Sequence, residues 1–448
     1  MSKLLVLVFA VFILLGCELF ERDSSEGYEI FVEVEDVFCT EAILKVTLPD
    51  SGKIARFLLE RAEGMKIDSA AIIDTFTCFD NDTLISDNNL LPDRDYTYRV
   101  SFLKSGKIRA ESEPLTIHTM DTTSHDITYW DIDTLGISGQ INDVWIVDED
   151  DIWVVGEINV PDPDSSWNGT GRETFNAAHW NGEKWEYIHI RGNLMNDVGP
   201  LNSIWYFDEN NIWVAGFPIH WDGNKWTLYH LQDMGLDVSV DYIWASSPDD
   251  IYFVGLEGSI VHYDGKDFKK IETEHEVRLI DIEGTDDGEY VYVVGYDFFS
   301  PAYSVVYQIH DGVVETLFYD EIHPTTGGLD WGAVSSVSVY KDMVYFVTYL
   351  GLVKKHVQSD EFTIDFAFRN YGYRSMVVQN YNDIFMVGGR GKYAHFNGVS
   401  WDFNEELKNT YDLSSIWGGC AFKDNLVVIC GYLLDGSHGY VAKGRRQN

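Results

Sequence analysis

Basic residues are scarce in this chain. Its 448 residues hold 32 lysines and arginines against 73 aspartates and glutamates, a formal net charge of −41. A surface of that sign repels phosphate backbones and anionic membrane surfaces, which excludes DNA and RNA as partners. The acidity reads first as a solvated surface and second as an attraction for cations. Cysteine is also rare, with five in all. No CxxC pair or Cys/His cluster has the spacing of a zinc site, so no metal is expected. No glycine-rich phosphate loop occurs, and no cofactor is expected. What the chain does have is apolar: 45% hydrophobic and 15% aromatic residues, too much for a disordered polymer.

Long hydrophobic runs are missing too, except at the start. Lys3 precedes an uncharged run, Leu4–Leu15, that is short for a bilayer span and fits a signal-peptide core. It closes in Leu14-Leu15-Gly16-Cys17. That string resembles the lipobox of bacterial lipoproteins. The resemblance implies removal of residues 1–16 and acylation of Cys17, and several acyl chains anchor a protein stably. The next residue is Glu18 rather than Asp, which by the same resemblance argues against retention at the inner membrane. The expected location is the bacterial cell envelope, at the outer membrane or the cell surface. Residues 17–27 read as an acidic linker.

Alternating strands fill residues 28–120, with turn signals at Pro49–Gly52 and Ser105-Gly106. Short strands at that density predict a β-sandwich. The stretch Leu90-Leu91-Pro92-Asp93-Arg94-Asp95-Tyr96 resembles a fibronectin type III pattern, in which the tyrosine hydroxyl bonds back to the chain upstream. Leu44 or Val46 stands where that family has a tryptophan. The module is expected to act as a spacer.

Residues 121–448 repeat themselves. INDVWIVDEDDIWVVGE begins at Ile141, LNSIWYFDENNIWVAGF at Leu201 and VDYIWASSPDDIYFVGL at Val240. Weaker copies start at Arg278, Ala333, Tyr373 and Leu413. Repeats of this length with four short strands predict a seven-bladed β-propeller. The seventh copy shows only three strands. Ile127–Ile132 resembles the outer-strand segment Lys184–Ile188 and is predicted to supply the fourth, closing the ring. Pairs such as Asn181-Gly182 and Asp222-Gly223 predict tight hairpins. Trp145, Trp205, Trp244 and Trp417 are predicted to share one inner-strand position and to pack between blades. His179, His220 and His262 recur on third strands and read as structural. The repeats resemble those of bacterial periplasmic and surface propellers of the regulator type, from which no site residue carries over. The fold expected is therefore all-β: a fibronectin type III-like sandwich followed by a propeller.

Cys39, Cys78, Cys420 and Cys430 are an even set beyond the cytoplasm and are disulfide candidates, one pair within each domain. No catalytic residues stand out: carboxylate pairs are everywhere, and arginines 172, 191, 278, 369, 374 and 390 share no motif. Loop length does stand out. The connections after first and third strands are tight, and the long ones follow second and fourth strands, which places them at one end of every blade. Trp167, Arg172, Asp330 and Trp331 in those connections are the candidate ligand-binding residues. The function expected is non-enzymatic binding or scaffolding, with a protein or glycan as ligand. The alternative is a carbohydrate-active enzyme with its site in the propeller funnel, which a channel cluster of carboxylates with raised pKa would favour.

Overall fold

Side chains build the turns that set the strand order. Asp208 Oδ1 accepts the Asn210 amide at 2.8 Å, and Asp222 Oδ1 accepts the amides of Asn224 and Lys225 at 2.9 Å each. Gly223 follows at φ +82°, and a Cβ there would lie 2.4 Å from Asn210 Oδ1, so the turn requires glycine. The computed structural model describes residues 29–47, 55–67, 70–78, 82–162, 171–192, 198–297, 303–321, 331–367, 372–389, 391–405, 407, 418–433 and 438–446. The chain divides into two units, Met1–Thr122 and Thr123–Asn448. Among the described residues, no helix is long and apolar enough to cross a membrane.

In the first unit, Phe31–Val37, Glu41–Thr47 and Asp82–Asn88 form one antiparallel sheet. Ala71–Cys78, Ala55–Glu63, Asp95–Lys104, Lys107–Glu111 and Leu115–His118 form another. Leu44 and Val46 from the first sheet share a core with Phe57, Leu59, Tyr98 and Val100 from the second. Tyr96 is buried, and its hydroxyl accepts the Leu91 amide at 2.9 Å.

The second unit is built of four-stranded antiparallel sheets. Ser138–Asp148, Asp151–Pro161, Arg172–Trp180 and Trp185–Ile188 pair in chain order. The same order recurs in sheets whose first strands are Ser203–Asp208, Val240–Ser247, Leu279–Gly284, Val334–Tyr340 and Tyr373–Asn380. In the last sheet Cys420–Lys423, Leu426–Tyr432 and Gly439–Arg446 come from the C-terminus, and Ile127–Leu135 pairs onto Gly439–Arg446 as the fourth strand. Each first strand packs against the first strand of the next sheet, and Cys420–Lys423 packs against Ser138–Asp148. The core lies between sheets. Trp145 and Trp205 meet edge-on at 4.9 Å, and Trp205 meets Trp244 at 6.3 Å. Trp213, almost fully buried, stacks on His220 at 4.4 Å and on Tyr229 at 5.5 Å.

Trp417 lies outside the described residues. Trp145 stands opposite Trp153 in the first sheet, and the matching position of the last sheet is Ala421 opposite Val428. Of the disulfide candidates, the side chain of Cys78 lies outside the described residues. Cys39, Cys420 and Cys430 are thiols. Cys420 stands opposite Ile429, so the next residue, Cys430, projects from the other face of that sheet. The two sulfurs therefore serve different interfaces: Cys420 packs with Ile429 and Phe422, and Cys430 with Ile141 and Val144. Cys39 Sγ donates to the Asp121 carbonyl at 3.1 Å. Burial pushes the Cys39 thiol up to about 11 and the Cys420 thiol up to about 12, which keeps both protonated.

Candidate binding site at the channel mouth

The first strand of each sheet has one edge that no strand covers. Its amides need acceptors, and side chains from the preceding sheet supply them. Asp143 Oδ2 accepts Ser203 Oγ and the Ile204 amide, both at 3.0 Å. Asp281 Oδ2 accepts Ser336 Oγ at 2.7 Å and the Val337 amide at 3.0 Å. Ser336 Oγ in turn accepts the Met376 amide at 3.2 Å. Glu283 bonds Ser338 and the Val339 amide in the same way.

Enclosure pushes the Asp143 and Asp281 carboxyls up to about 6 and Glu283 up to about 8; hydrogen bonds oppose each shift, and neighbouring acids add to those of Asp281 and Glu283. Raised carboxyls in the channel are the feature that the enzymatic reading asks for. Their geometry serves another purpose. Asp143 Oδ1 accepts the Val144 amide and Asp281 Oδ1 the Ile282 amide, so both oxygens of each group are committed to strand backbone. A general acid must present its proton to a substrate oxygen. These carboxylates join neighbouring sheets instead.

Above them opens a cavity of about 410 Å³. It lies at the N-terminal ends of the first strands, the end served by the long connections. Asn142 Nδ2 donates to Asn202 Oδ1 at 3.1 Å, and Asn202 Nδ2 donates to Asp241 Oδ1 at 2.9 Å. Arg278 Nη2 donates to Asp241 Oδ2 at 3.1 Å. Arg374 Nη1 donates to the Tyr296 hydroxyl at 2.6 Å. Tyr242, Tyr296 and Asp297 complete this part of the wall. Burial raises the Tyr296 phenol, and Arg374 and Arg278 pull it back. Sequence reasoning passed over Arg278 and Arg374 because neither belongs to a motif. They meet only because both sit at the entrance of a first strand.

A second cavity of about 300 Å³ opens at the same end, between the sheets that begin at Ser203 and Val240. Phe217, Leu228, Leu231, Val198 and Val240 line it. Phe217 is 47% exposed. Met234, Leu256 and Tyr349 are further exposed apolar side chains in connections of this end. The opposite end carries the tight turns, where Asp148, Glu149, Asp208, Glu209, Asp249 and Asp311 are exposed.

The expected ligand residues fare unequally. Trp167 and Asp330 lie outside the described residues. Arg172 is exposed at the long-connection end, where its Nη1 donates to Ser138 Oγ at 3.1 Å. Trp331 is not an exposed anchor. It stacks on Phe318 at 4.8 Å and meets Phe362 at 4.9 Å, packed against the core that holds Phe346 and Val337. The histidines are structural. His179 Nε2 meets Asp151 at 2.7 Å and stacks on Trp153, and His262 does the same with Asp250 and Tyr252.

No protein-family model matches the chain, and no curated protein matches it. Solved structures do. YCF48 bound to D1 peptide superposes with a TM-score of 0.52 at 16% identity, covering 73% of this chain and 100% of that one. YCF48 from Cyanidioschyzon merolae gives 0.49 at 14%, covering 71% and 99%. The extracellular domain of BT4673 from B. thetaiotaomicron gives 0.49 at 12%, covering 71% of this chain and 41% of that one. The repeated four-stranded sheets and the first of these likenesses define a β-propeller protein.

Proposed function

We propose that this chain is a lipid-anchored binding protein of the bacterial cell envelope. A fibronectin type III-like module carries a seven-bladed propeller, closed by Ile127–Leu135, that captures a protein ligand on the face with the long connections. One observation carries the binding reading: the channel mouth, the apolar groove and the long connections all lie at one end of the first strands. The cyclic packing of first strands supports a closed ring, and the bond from the Leu91 amide to the Tyr96 hydroxyl supports the fibronectin-like module. The YCF48 structure was solved with a D1 peptide, and its likeness here favours a peptide over a glycan. The enzymatic alternative loses its support because the raised carboxyls are tied to backbone amides.

The anchor rests on the sequence ending at Cys17, outside the described residues. Cys17→Ser, expressed in a bacterial host, should move the protein from the membrane fraction to the soluble fraction, since the acyl chains supply the retention. Membrane partition equal to that of the unaltered chain would contradict the anchor.

A further inference from the structure

We propose that the channel mouth receives a carboxylate of an extended peptide on Arg278 and Arg374, while an apolar side chain of the same peptide enters the groove beside Phe217. This rests on the reading of the long-connection face as the binding face. It names the chemistry of the partner.

Three features of the face lead to it. Arg278 and Arg374 are the only basic side chains among the described residues lining the larger cavity. A guanidinium is a planar fork of donors suited to carboxylate, and it works best when its orientation is fixed. Asp241 holds one fork and the Tyr296 hydroxyl holds the other. Second, the two cavities adjoin. Val240 lines the groove and Tyr242, on the same strand, lines the channel mouth, a separation of about 7 Å along the strand. One short extended segment therefore reaches both. Third, the walls offer polar and aromatic partners for a peptide backbone: Asn142, Asn202 and Gln140 on one side, Tyr242 and Tyr296 on the other.

The net charge of −41 opposes an acidic ligand at long range. Distance decides which effect wins. The acidic turns lie at the far ends of the first strands, roughly 20 Å away for a strand of six residues. Screening cuts off exposed charges beyond about 8 Å at physiological salt. Among the nearer acids, Asp241 is already paired with Arg278, Asp297 accepts the Arg278 backbone amide, and Asp143 and Asp281 are covered by hydrogen bonds. Arg374, held by a neutral phenol, therefore sets the local preference for a carboxylate, and Arg278 adds donors at the rim.

The test uses the full chain in detergent micelles and random short peptides displayed with a free C-terminus. Selected peptides are then remade in two forms: with a C-terminal amide, and with Asp and Glu changed to Asn and Gln. A carboxylate pairing with the half-buried Arg374 guanidinium predicts a loss of roughly tenfold or more on one of these changes. The amide arm identifies a terminal carboxylate, and the Asn/Gln arm identifies a side chain. Arg374→Gln should lose a similar factor, and Arg278→Gln, at the exposed rim and already paired with Asp241, a smaller one. Phe217→Ser should weaken peptides that carry the apolar residue. Asp208→Ala in the opposite turns should change nothing. Binding that ignores both neutralisation and the arginine substitutions, yet falls with Phe217→Ser, overturns the carboxylate proposal and leaves the binding face standing. Binding lost in Asp208→Ala but kept in all three mouth and groove variants overturns the binding face itself. Failure to select any peptide, or capture of glycans alone on a parallel array, overturns the peptide class.

Discussion

A chain that begins after Gly139 should melt far below one that begins at Thr122, and should aggregate on heating. The main difference between them is the strand Ile127–Leu135, which covers the free edge of Gly439–Arg446; the shorter chain also loses Ser138 and Gly139 from the start of the first sheet. Trp130 on that strand is 5% exposed and meets Tyr393 at 5.3 Å. Gly444 makes room for it, since a Cβ there would lie 2.8 Å from the Trp130 ring. Asp133 adds a clasp: it accepts the Trp185 indole N–H at 2.8 Å and pairs with Lys443 at 3.1 Å. Losing the tryptophan alone costs about 3–5 kcal/mol by the usual large-to-small scale. The uncovered strand also offers its amides and carbonyls to other molecules. Trp130→Ala in the full chain should reproduce the loss of melting temperature without the open edge, and so without the aggregation. Equal melting temperatures for the two truncated chains would show that the ring does not depend on this strand.

Stability against urea should be greater near about pH 5 than near about pH 8, the reverse of a protein held together by ion pairs. The cause is the set of enclosed carboxyls. Asp143 and Asp281 titrate near 6 in the folded chain against 3.8 in the open one, and Glu283 near 8 against 4.5. Between each such pair of values the folded state binds more protons than the unfolded state. Stability therefore falls as pH rises, through about 4 to 6 for the aspartates and about 4.5 to 8 for the glutamate. Asp264, held down to about 2 by Lys269 and the Asp267 amide, works in the opposite sense only below the ordinary aspartate range, whereas His125 and His220, lowered by burial, oppose the trend around the histidine range and are outnumbered there by the three enclosed carboxyls. Easing the repulsion among 73 acidic groups acts in the same direction as the enclosed carboxyls. Glu283→Gln should flatten the profile at its alkaline end. A urea midpoint that is higher at the alkaline pH would contradict the assignment of these groups as enclosed joints.

Much of the propeller was legible because its turns are local. Asn-Gly and Asp-Gly pairs and the Asp-rich first turns determine where strands reverse, and alternation determines which side faces a neighbour. The seventh repeat was misread where local pattern misleads. Ile416-Trp417 imitates Val144-Trp145, yet the turn Lys423–Leu426 fixes the register, and counting back from it reaches Ala421. Trp331 looked like a surface anchor because it is an aromatic residue in a long connection. Its packing depends on Phe318 and Phe362, which lie well away from it in sequence. Cys420 and Cys430 are close along a hairpin but face opposite ways, a matter of register parity. Arg278 and Arg374 were invisible as a site for a related reason. Ninety-six positions separate them, and only the ring of first strands brings both to one mouth.

Hydrogen exchange of the full chain, with and without a captured peptide or partner, tests the choice of face most directly. Slowed exchange is expected in the connections 215–219 and 228–240 and at the strand entrances 278–281 and 373–375. No change is expected in the turns 148–151, 208–211 and 247–250. Protection confined to those turns, with the mouth and groove unaffected, would place the partner on the acidic end and contradict that choice of face.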